Sequence, residues 1–222
     1  MSLILRSACR FSSFQMRRTF RKLSSSSPKG ARKRVLGIET SCDDTAAAIL
    51  DMDGNILSDV CISQLKEHLH NGGVIPTIAK NLHAHSIDRT IVQALDQANM
   101  EMKDVDYIAV TNRPGLPLSL EVGVEFTKRL AIKYGKPLIP IHHMEAHALI
   151  GMLSDPGLDF PFLVLLLSGG HAQIAFVKDV DHYFLLGTTI DNAPGEILDK
   201  VARRMKLRNL GQSSIPNYIQ IS

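Results

Sequence analysis

Cysteine is scarce in this sequence of 222 residues. The three cysteines, Cys9, Cys42 and Cys61, form no CxxC zinc motif and are too few for a disulfide framework. Long apolar runs are also lacking, because no stretch approaches the roughly 18 residues of a membrane-spanning helix. These absences exclude a disulfide-stabilised scaffold and predict a soluble protein without membrane insertion. A hydrophobic content of 45% is enough to bury one large domain or two small ones.

Acidic residues are absent from positions 1–34, which hold ten of the 25 lysines and arginines of the chain. The segment is also rich in serine and carries apolar residues, among them Phe11 and Phe14, between its charges. This composition is typical of a mitochondrial transit peptide, and the alternative is a disordered basic tail. We therefore expect a transit peptide and linker at 1–34 and a protein of the mitochondrial matrix.

The chain after the leader is acidic. Removing the ten leader charges leaves 15 basic residues against 22 acidic ones, a net charge near −7. The basic isoelectric point of the whole chain therefore belongs to the leader and indicates no nucleic-acid surface on the folded part.

Short apolar segments separated by turn signals predict an α/β fold that begins at Val35. Antiparallel hairpins come first, with Asp53-Gly54 as a hairpin turn, and alternating strands and helices follow. This order predicts a mixed sheet flanked by helices rather than a uniformly parallel sheet. The predicted strands are 35–38, 45–50, 56–63, 106–111, 137–141, 162–167 and 173–177. The predicted helices are 76–99, 118–134 and 195–204.

A pair of histidines is the first candidate for chemistry. His143 and His147 stand four residues apart in a run without helix breakers, so on a helix both imidazoles project from one face. Such a pair can chelate one divalent ion, zinc or iron, if further ligands come from elsewhere, although isolated pairs are as often structural or surface-exposed. Glu145 lies on another side, so the motif is not the HExxH of metalloproteases. His83 and His85 cannot share one helical face and are expected to be solvated.

A strand that runs into Ser168-Gly169-Gly170-His171 is the second candidate. Paired glycines permit a close backbone approach, so that successive amide hydrogens can point at an anion or a carbonyl group. The alternative is an ordinary hairpin turn. Asp199 could accept a hydrogen bond from a substrate hydroxyl or pair with a nearby base.

The run from Glu39 to Asp44 places hydroxyls and carboxylates between two predicted strands. Such a turn can hold the phosphates of a metal-bound nucleotide, or it can be a plain polar turn. A nucleotide kinase or ATPase with an actin-like fold is therefore one hypothesis, but that class would not need the histidine pair.

Four short motifs occur in a fixed order along the chain. They are Gly37-Ile38-Glu39-Thr40-Ser41-Cys42-Asp43-Asp44-Thr45, Arg113-Pro114-Gly115-Leu116, His142-His143-Met144-Glu145-Ala146-His147 and Ser168-Gly169-Gly170-His171. The ordered set resembles the tRNA N6-adenosine threonylcarbamoyltransferase family from about Val35 to about Leu207. That family was once described as O-sialoglycoprotein endopeptidases, an activity against which the missing HExxH motif argues.

The resemblance implies an actin-like fold of two related lobes with the ligand between them. It implies transfer of a threonylcarbamoyl group from threonylcarbamoyl-AMP to N6 of adenosine 37 in tRNAs that read codons beginning with A. It further implies one divalent metal ion per subunit, zinc or iron, held by His143 and His147, and a homodimer as the assembly. The implied substrate-binding residues are Leu166, Leu167, Ser168, Gly169, Gly170 and Asp199.

The resemblance ends near Leu207. The family would continue to a second substrate-binding Gly-Gly turn, where this chain has Gln212, and through most of the second lobe to an aspartate that completes the metal site. We therefore expect a complete first lobe, a largely missing second lobe and a divergent tail at 208–222, with the family domain at 35–207. A splice isoform is one origin of such a truncated chain. As an alternative to catalysis, such an isoform would bind the partners of the family without turnover.

Overall fold

The computed structural model describes residues 32–71, 73–155 and 157–205. It divides into two compact units, residues 2–153 and 154–222, and each is treated by itself. The expected transit peptide, apart from residues 32–34, the tail at 208–222 and Gln212 lie outside the described residues. Over the described part of the chain, no helix has the length and hydropathy of a membrane span.

Among its described residues, the first unit contains five strands, five α-helices and one short 3-10 helix, Met102–Asp104. The strands are β1 Arg34–Glu39, β2 Asp44–Asp51, β3 Ile56–Ser63, β4 Tyr107–Arg113 and β5 Leu138–His142. The helices are α1 Leu65–His70, α2 Pro76–Gln97, α3 Pro117–Tyr134, α4 His143–Leu149 and α5 Gly151–Ser154, whose last residue belongs to the second unit.

The five strands form one sheet in the order β3-β2-β1-β4-β5. β1 pairs with β2, and β2 with β3, in antiparallel register, whereas β1–β4 and β4–β5 are parallel. Helices α2 and α3 pack against this sheet and against each other. The predicted α/β class, with a mixed sheet flanked by helices, is confirmed.

The predicted hairpin after β2 is confirmed, and Asp51 stabilises it. The Asp51 carboxylate accepts hydrogen bonds from the backbone N–H groups of Asp53 and Asn55, both at 2.9 Å, and from the Asn55 amide at 2.7 Å. A side chain that binds its own turn in this way fixes the turn locally. The acidic side chain of Asp51 therefore serves to hold this hairpin turn.

The core of the first unit lies between the sheet and helices α2 and α3. Every residue of β2 is buried, and β1 is buried from Val35 to Glu39, so both faces of these two strands are covered. Side chains such as Leu36, Ile87 and Ile108 form one apolar cluster. Burying a side chain of this size contributes about 1.5–3 kcal/mol.

The second unit is a three-stranded antiparallel sheet in the order β6-β7-β8, followed by a helix. Its elements are β6 Phe162–Leu167, β7 Ala172–Asp179, β8 His182–Thr188 and α6 Pro194–Arg204. The predictions of β6, β7 and α6 are confirmed, whereas β8 was not predicted. Asp199 lies in α6, but its side chain is outside the described residues.

One face of the second sheet is apolar and exposed. We call it the apolar sheet face and define it by Leu163, Leu165, Leu167, Ile174 and Phe184. The alternating residues of β6 are exposed, with fractions of 61% for Leu163 and 62% for Leu165. Leu165 lies opposite Ile174 in the register, which places both on one face. Such a contiguous apolar surface indicates a docking site for another polypeptide or an aggregation liability.

Candidate functional site

The carboxyl ends of three parallel strands meet at one edge of the five-stranded sheet. β1 ends at Glu39, β4 at Arg113 and β5 at His142. Helix α4 begins at the next residue, so His143 enters this edge without an intervening loop. The topology thus brings together Glu39 and His143, which are 104 positions apart in the sequence.

The two histidines of the predicted pair face each other on α4, and the predicted helical spacing is confirmed. Their Nε2 atoms are 3.0 Å apart, and the ring planes are nearly perpendicular at 89°. A tetrahedral zinc ion with Zn–N bonds of 2.0–2.1 Å would hold two nitrogen ligands about 3.3 Å apart. The observed separation of His143 and His147 fits one shared divalent cation, and it also suits an N–H···N hydrogen bond between the rings.

The other ring nitrogen of His143 contacts a buried carboxylate. His143 Nδ1 lies 3.2 Å from Glu39 Oε2 and 3.2 Å from the Ser41 hydroxyl. The backbone N–H of Ser41 donates to Glu39 Oε1 at 2.5 Å. Glu39 is only 1% exposed. Each of its two carboxylate oxygens nevertheless has a polar partner, His143 for Oε2 and the Ser41 N–H for Oε1.

The Glu39 carboxyl group is ionised in this environment. Burial by itself would raise its pKa, but hydrogen bonds from His143, Ser41 and Thr111 and the charge of His143 outweigh burial and lower the pKa to about 2. An ionised carboxylate only accepts hydrogen bonds. The Nδ1 atom of His143 must therefore carry the proton that this contact shares.

Gly115 allows the loop after β4 to approach this edge. The backbone N–H of Leu116 donates to the Ser41 carbonyl at 2.7 Å. A Cβ at Gly115 would lie 2.6 Å from the Ser41 carbonyl oxygen and 2.7 Å from the Ser41 Cβ. The absence of a side chain at Gly115 therefore permits this close contact with Ser41, whose backbone N–H binds Glu39.

Replacing Gly115 by alanine is expected to lower the free energy of unfolding by about 1–3 kcal/mol, the usual cost of overpacking. Gly169→Ala is the matched control, because a Cβ there would meet nothing within 4 Å, and its change should stay within about 0.5 kcal/mol. Urea unfolding of the two variants measures the difference. Equal stabilities would show that the loop moves aside without cost.

The polar turn at 39–44 is largely buried rather than solvated. The Oδ1 atoms of Asp43 and Asp44 are buried and hydrogen-bond to none of the described residues. Burial raises the pKa of Asp43, and the neighbouring charge of Asp44 raises it further. The unmatched carboxylate oxygens favour the ligand-binding interpretation of this turn over that of a plain polar turn.

The expectation that His83 is solvated is wrong, whereas His85 is exposed as expected. His83 has no exposed surface. Its Nδ1 lies 2.8 Å from the Thr45 hydroxyl, and its Nε2 lies 3.1 Å from the Cys42 carbonyl oxygen. Because Nε2 donates to that carbonyl, Nδ1 accepts from Thr45, and the neutral ring joins α2 to the turn.

The predicted substrate turn lies in the second unit, between β6 and β7. The backbone N–H of Ser168 donates to the His171 carbonyl at 2.8 Å, and the His171 N–H donates to the Ser168 hydroxyl at 3.0 Å. Gly169 and Gly170 are exposed, and a Cβ at either would meet nothing within 4 Å. Hydrogen bonds between Ser168 and His171 thus close the base of the turn, whereas the tip at Gly169 and Gly170 is exposed.

Helix α6 begins directly against this turn. A Cβ at Gly195 would lie 2.7 Å from the Ser168 carbonyl oxygen and 2.9 Å from the Gly169 Cα. A side chain at that position would separate the helix from the turn. The start of the helix that carries Asp199 therefore packs on the residues of the predicted substrate turn.

A separate group of candidate metal ligands occurs on the second sheet. Within the described ranges, Asp179, Asp181 and His182 are the one set of three ligating side chains whose donor atoms lie within 4.8 Å of one another. Asp181 and His182 are exposed, and acidic groups on a surface commonly sit together without an ion. This set was not identified from the sequence, because its members lie in and around an ordinary turn between β7 and β8.

A family comparison matches residues 55–221 of the chain to the model of tRNA N6-adenosine threonylcarbamoyltransferase. This range covers more than half of the chain.

Curated relatives carry the same description. The mitochondrial tRNA N6-adenosine threonylcarbamoyltransferase of Danio rerio is 50% identical over 175 residues, which are 79% of this chain and 43% of the relative. The mitochondrial protein of Homo sapiens is 51% identical over 79% of this chain and 42% of its own length. The protein of Agrobacterium fabrum is 49% identical over 83% of this chain and 51% of its own length. The chain thus spans about half the length of these relatives, or less.

Among solved structures, YeaZ from Pseudomonas aeruginosa is similar, with a TM-score of 0.48 and 16% sequence identity. The similarity covers 73% of this chain and 68% of that protein.

Proposed function

Because this chain belongs to the tRNA N6-adenosine threonylcarbamoyltransferase family, we propose that it serves in N6-threonylcarbamoylation of adenosine 37 in mitochondrial tRNAs. The donor is threonylcarbamoyl-AMP, and the acceptors are tRNAs that read codons beginning with A. The observation that carries this proposal is the convergence of the His143 and His147 Nε2 atoms at 3.0 Å. A kinase or ATPase of the actin-like class would not require this pair.

His143 and His147 would hold one divalent cation, zinc or iron. Neutral imidazole nitrogens suit both metals, and the spacing of the two atoms fits a single ion. A cation bound there would hold the donor or polarise its carbonyl group. Within the described ranges, no set of three ligating side chains includes this pair. Further ligands would come from substrate, from water or from a carboxylate outside the described residues.

The turn at 166–170 would bind the donor through its backbone. The open tip at Gly169 and Gly170 leaves room for a substrate to approach the main chain, and the amide groups of such a turn can hold an anion or a carbonyl oxygen. Asp199 would accept a hydrogen bond from the same substrate. The chain's own groups would orient the donor for attack by the adenine amine, which would displace AMP and lose one proton, so no covalent enzyme intermediate is required.

We place the protein in the mitochondrion, and more narrowly in the matrix. The relatives from Danio rerio and Homo sapiens are named as mitochondrial. The acid-free, arginine-rich composition of residues 1–34 supports the same compartment. A fusion of these residues to a reporter is expected to enter mitochondria, and a fusion retained in the cytosol would remove this support.

The direct test is transfer of a labelled threonylcarbamoyl group from threonylcarbamoyl-AMP to mitochondrial tRNA by the purified chain of 222 residues. We expect label in the tRNA with the unaltered chain and none with the variant His143→Ala/His147→Ala. Transfer that survives in the variant would contradict the assigned role of the pair. Absence of transfer by the unaltered chain would contradict catalysis and favour a second candidate function.

The second candidate is a non-catalytic role, in which the chain binds the partners of the family. The apolar sheet face favours it, because Leu163, Leu165 and Phe184 are each at least half exposed. A second copy of the chain, in a homodimer, or a longer family member could cover this surface. Stable co-elution with a full-length relative, without transfer, would support this candidate, whereas a monomer that transfers the label would contradict it.

A further inference from the structure

We propose that Glu39 is the positioning residue of the metal centre: its buried carboxylate fixes the Nδ1–H form of His143 and so directs the Nε2 lone pair toward His147. The inference rests on the proposed function, because it assigns a role within the histidine pair that the transferase is proposed to use. It extends that function from the two ligands to a residue 104 positions away.

The first support is the geometry of the contact. Glu39 Oε2 lies 3.2 Å from Nδ1 of His143, on the side of the imidazole ring remote from Nε2. Glu39 therefore acts through His143 and does not itself reach the point where the two Nε2 atoms converge. A carboxylate or carbonyl that accepts the outer N–H of a ligating histidine fixes the tautomer and the ring orientation.

The second support is the rigidity of the carboxylate. Glu39 is the last residue of β1, a strand that is paired on both sides, and its side chain is 1% exposed. The Ser41 backbone N–H holds its second oxygen at 2.5 Å. The Glu39 carboxylate is fixed both by β1 and by the turn that contains Ser41. It therefore has little freedom to move, and the orientation of the His143 ring is set by the carboxylate.

The third support is the competing contact of Ser41. The Ser41 hydroxyl is also 3.2 Å from Nδ1, and a hydroxyl can donate as well as accept. If it donated, the ring proton would move to Nε2 and block the site of cation binding. The carboxylate can only accept, so Glu39 decides between the two tautomers and Ser41 does not.

The experiment compares the unaltered chain with Glu39→Gln, in which an amide of equal size can donate to Nδ1. In the metal-free protein, long-range ¹⁵N–¹H correlation spectra of ¹⁵N-histidine report the tautomer of His143. We expect Nδ1–H in the unaltered chain and a shift toward Nε2–H in Glu39→Gln. Affinity for Zn²⁺ should fall about 10- to 100-fold, the usual effect of losing a group that orients a ligand, at unchanged stoichiometry.

Glu145→Gln is the matched control. It also replaces one carboxylate by an amide, but on α4 itself, and it leaves the contact between Glu39 and His143 intact. It should change neither the tautomer nor the affinity. If Glu39→Gln does not fold, Glu39→Asp keeps the carboxylate and should keep the Nδ1–H form with an intermediate affinity.

The outcomes separate this inference from the proposed function. An Nε2–H tautomer in the unaltered chain, or equal Zn²⁺ affinity in Glu39→Gln, would overturn the positioning role. An unaltered chain with the Nδ1–H tautomer but no Zn²⁺ binding would instead overturn the proposed metal centre.

Discussion

Replacing both His143 and His147 by alanine is expected to raise the dissociation constant for Zn²⁺ at least about 100-fold, beyond the 10- to 100-fold effect of losing an orienting group. The reason is geometric, because both convergent Nε2 atoms disappear together. The measurement is a competition titration of the metal-free chain against a chromophoric chelator. The buried Glu39 carboxylate would remain, but alone it offers an ion no nitrogen ligand.

The control for this prediction is His182→Ala. It disrupts the other candidate ligand set, Asp179, Asp181 and His182, which lies on the second sheet. Affinity should be unchanged in this variant. Loss of binding in His182→Ala, with retention in the double variant, would assign the ion to the surface set and remove the metal role of the pair on α4.

Replacing His83 by alanine should lower the free energy of unfolding by about 3 kcal/mol or more. The substitution leaves a cavity in a fully buried position. It also removes the partner of the Thr45 hydroxyl and one of the donors to the Cys42 carbonyl, and an unmatched buried polar group costs about 1–3 kcal/mol. Urea unfolding, followed by far-ultraviolet circular dichroism, measures the effect.

His85→Ala is the matched control on the same helix. His85 is exposed, and substitution of an exposed residue away from special contacts changes stability by less than about 0.5 kcal/mol. Similar losses in the two variants would contradict the structural role of His83. A large loss at His83 alone would show that one of two neighbouring histidines is part of the core.

The burial of His83 was predictable from the periodicity of α2. Ala79, His83, Ile87 and Ile91 follow one another at intervals of four residues, and all four are buried. The sequence therefore marks position 83 as part of the apolar face. The expectation of a solvated side chain rested on the two-residue spacing from His85, whereas the four-residue period of the buried face determines the position of His83.

The regular elements were mostly predictable because their local signals agree with the tertiary structure. Helix α3 ends at Tyr134, as predicted, and Gly135 follows it in a left-handed conformation with φ of 62°, which a residue without a side chain adopts easily. β8 was not predicted, although its apolar residues follow a short turn. Phe184, Leu185 and Leu186 are three consecutive apolar residues, and all three are exposed, so the apolar–polar alternation that marks a half-buried strand is absent.

The candidate site was only partly predictable. The spacing of His143 and His147 is a local property, so the sequence was sufficient for the pair. The contact of His143 with Glu39 depends on which strands are parallel neighbours, and no local pattern encodes this. Given the sheet order, the meeting of strand ends at one edge would have indicated the contact, because parallel strands point their carboxyl ends the same way.

Because β5 and α4 join directly, the number of residues at this junction determines where the histidine pair lies. His142 ends the strand and His143 begins the helix, with no residue between them to absorb a change. One inserted residue would turn the helix by about 100° and advance it by about 1.5 Å. Both imidazoles would then leave the Glu39 side together, with their own spacing intact. At this junction a change in the number of residues disrupts the site as much as a change in their identity.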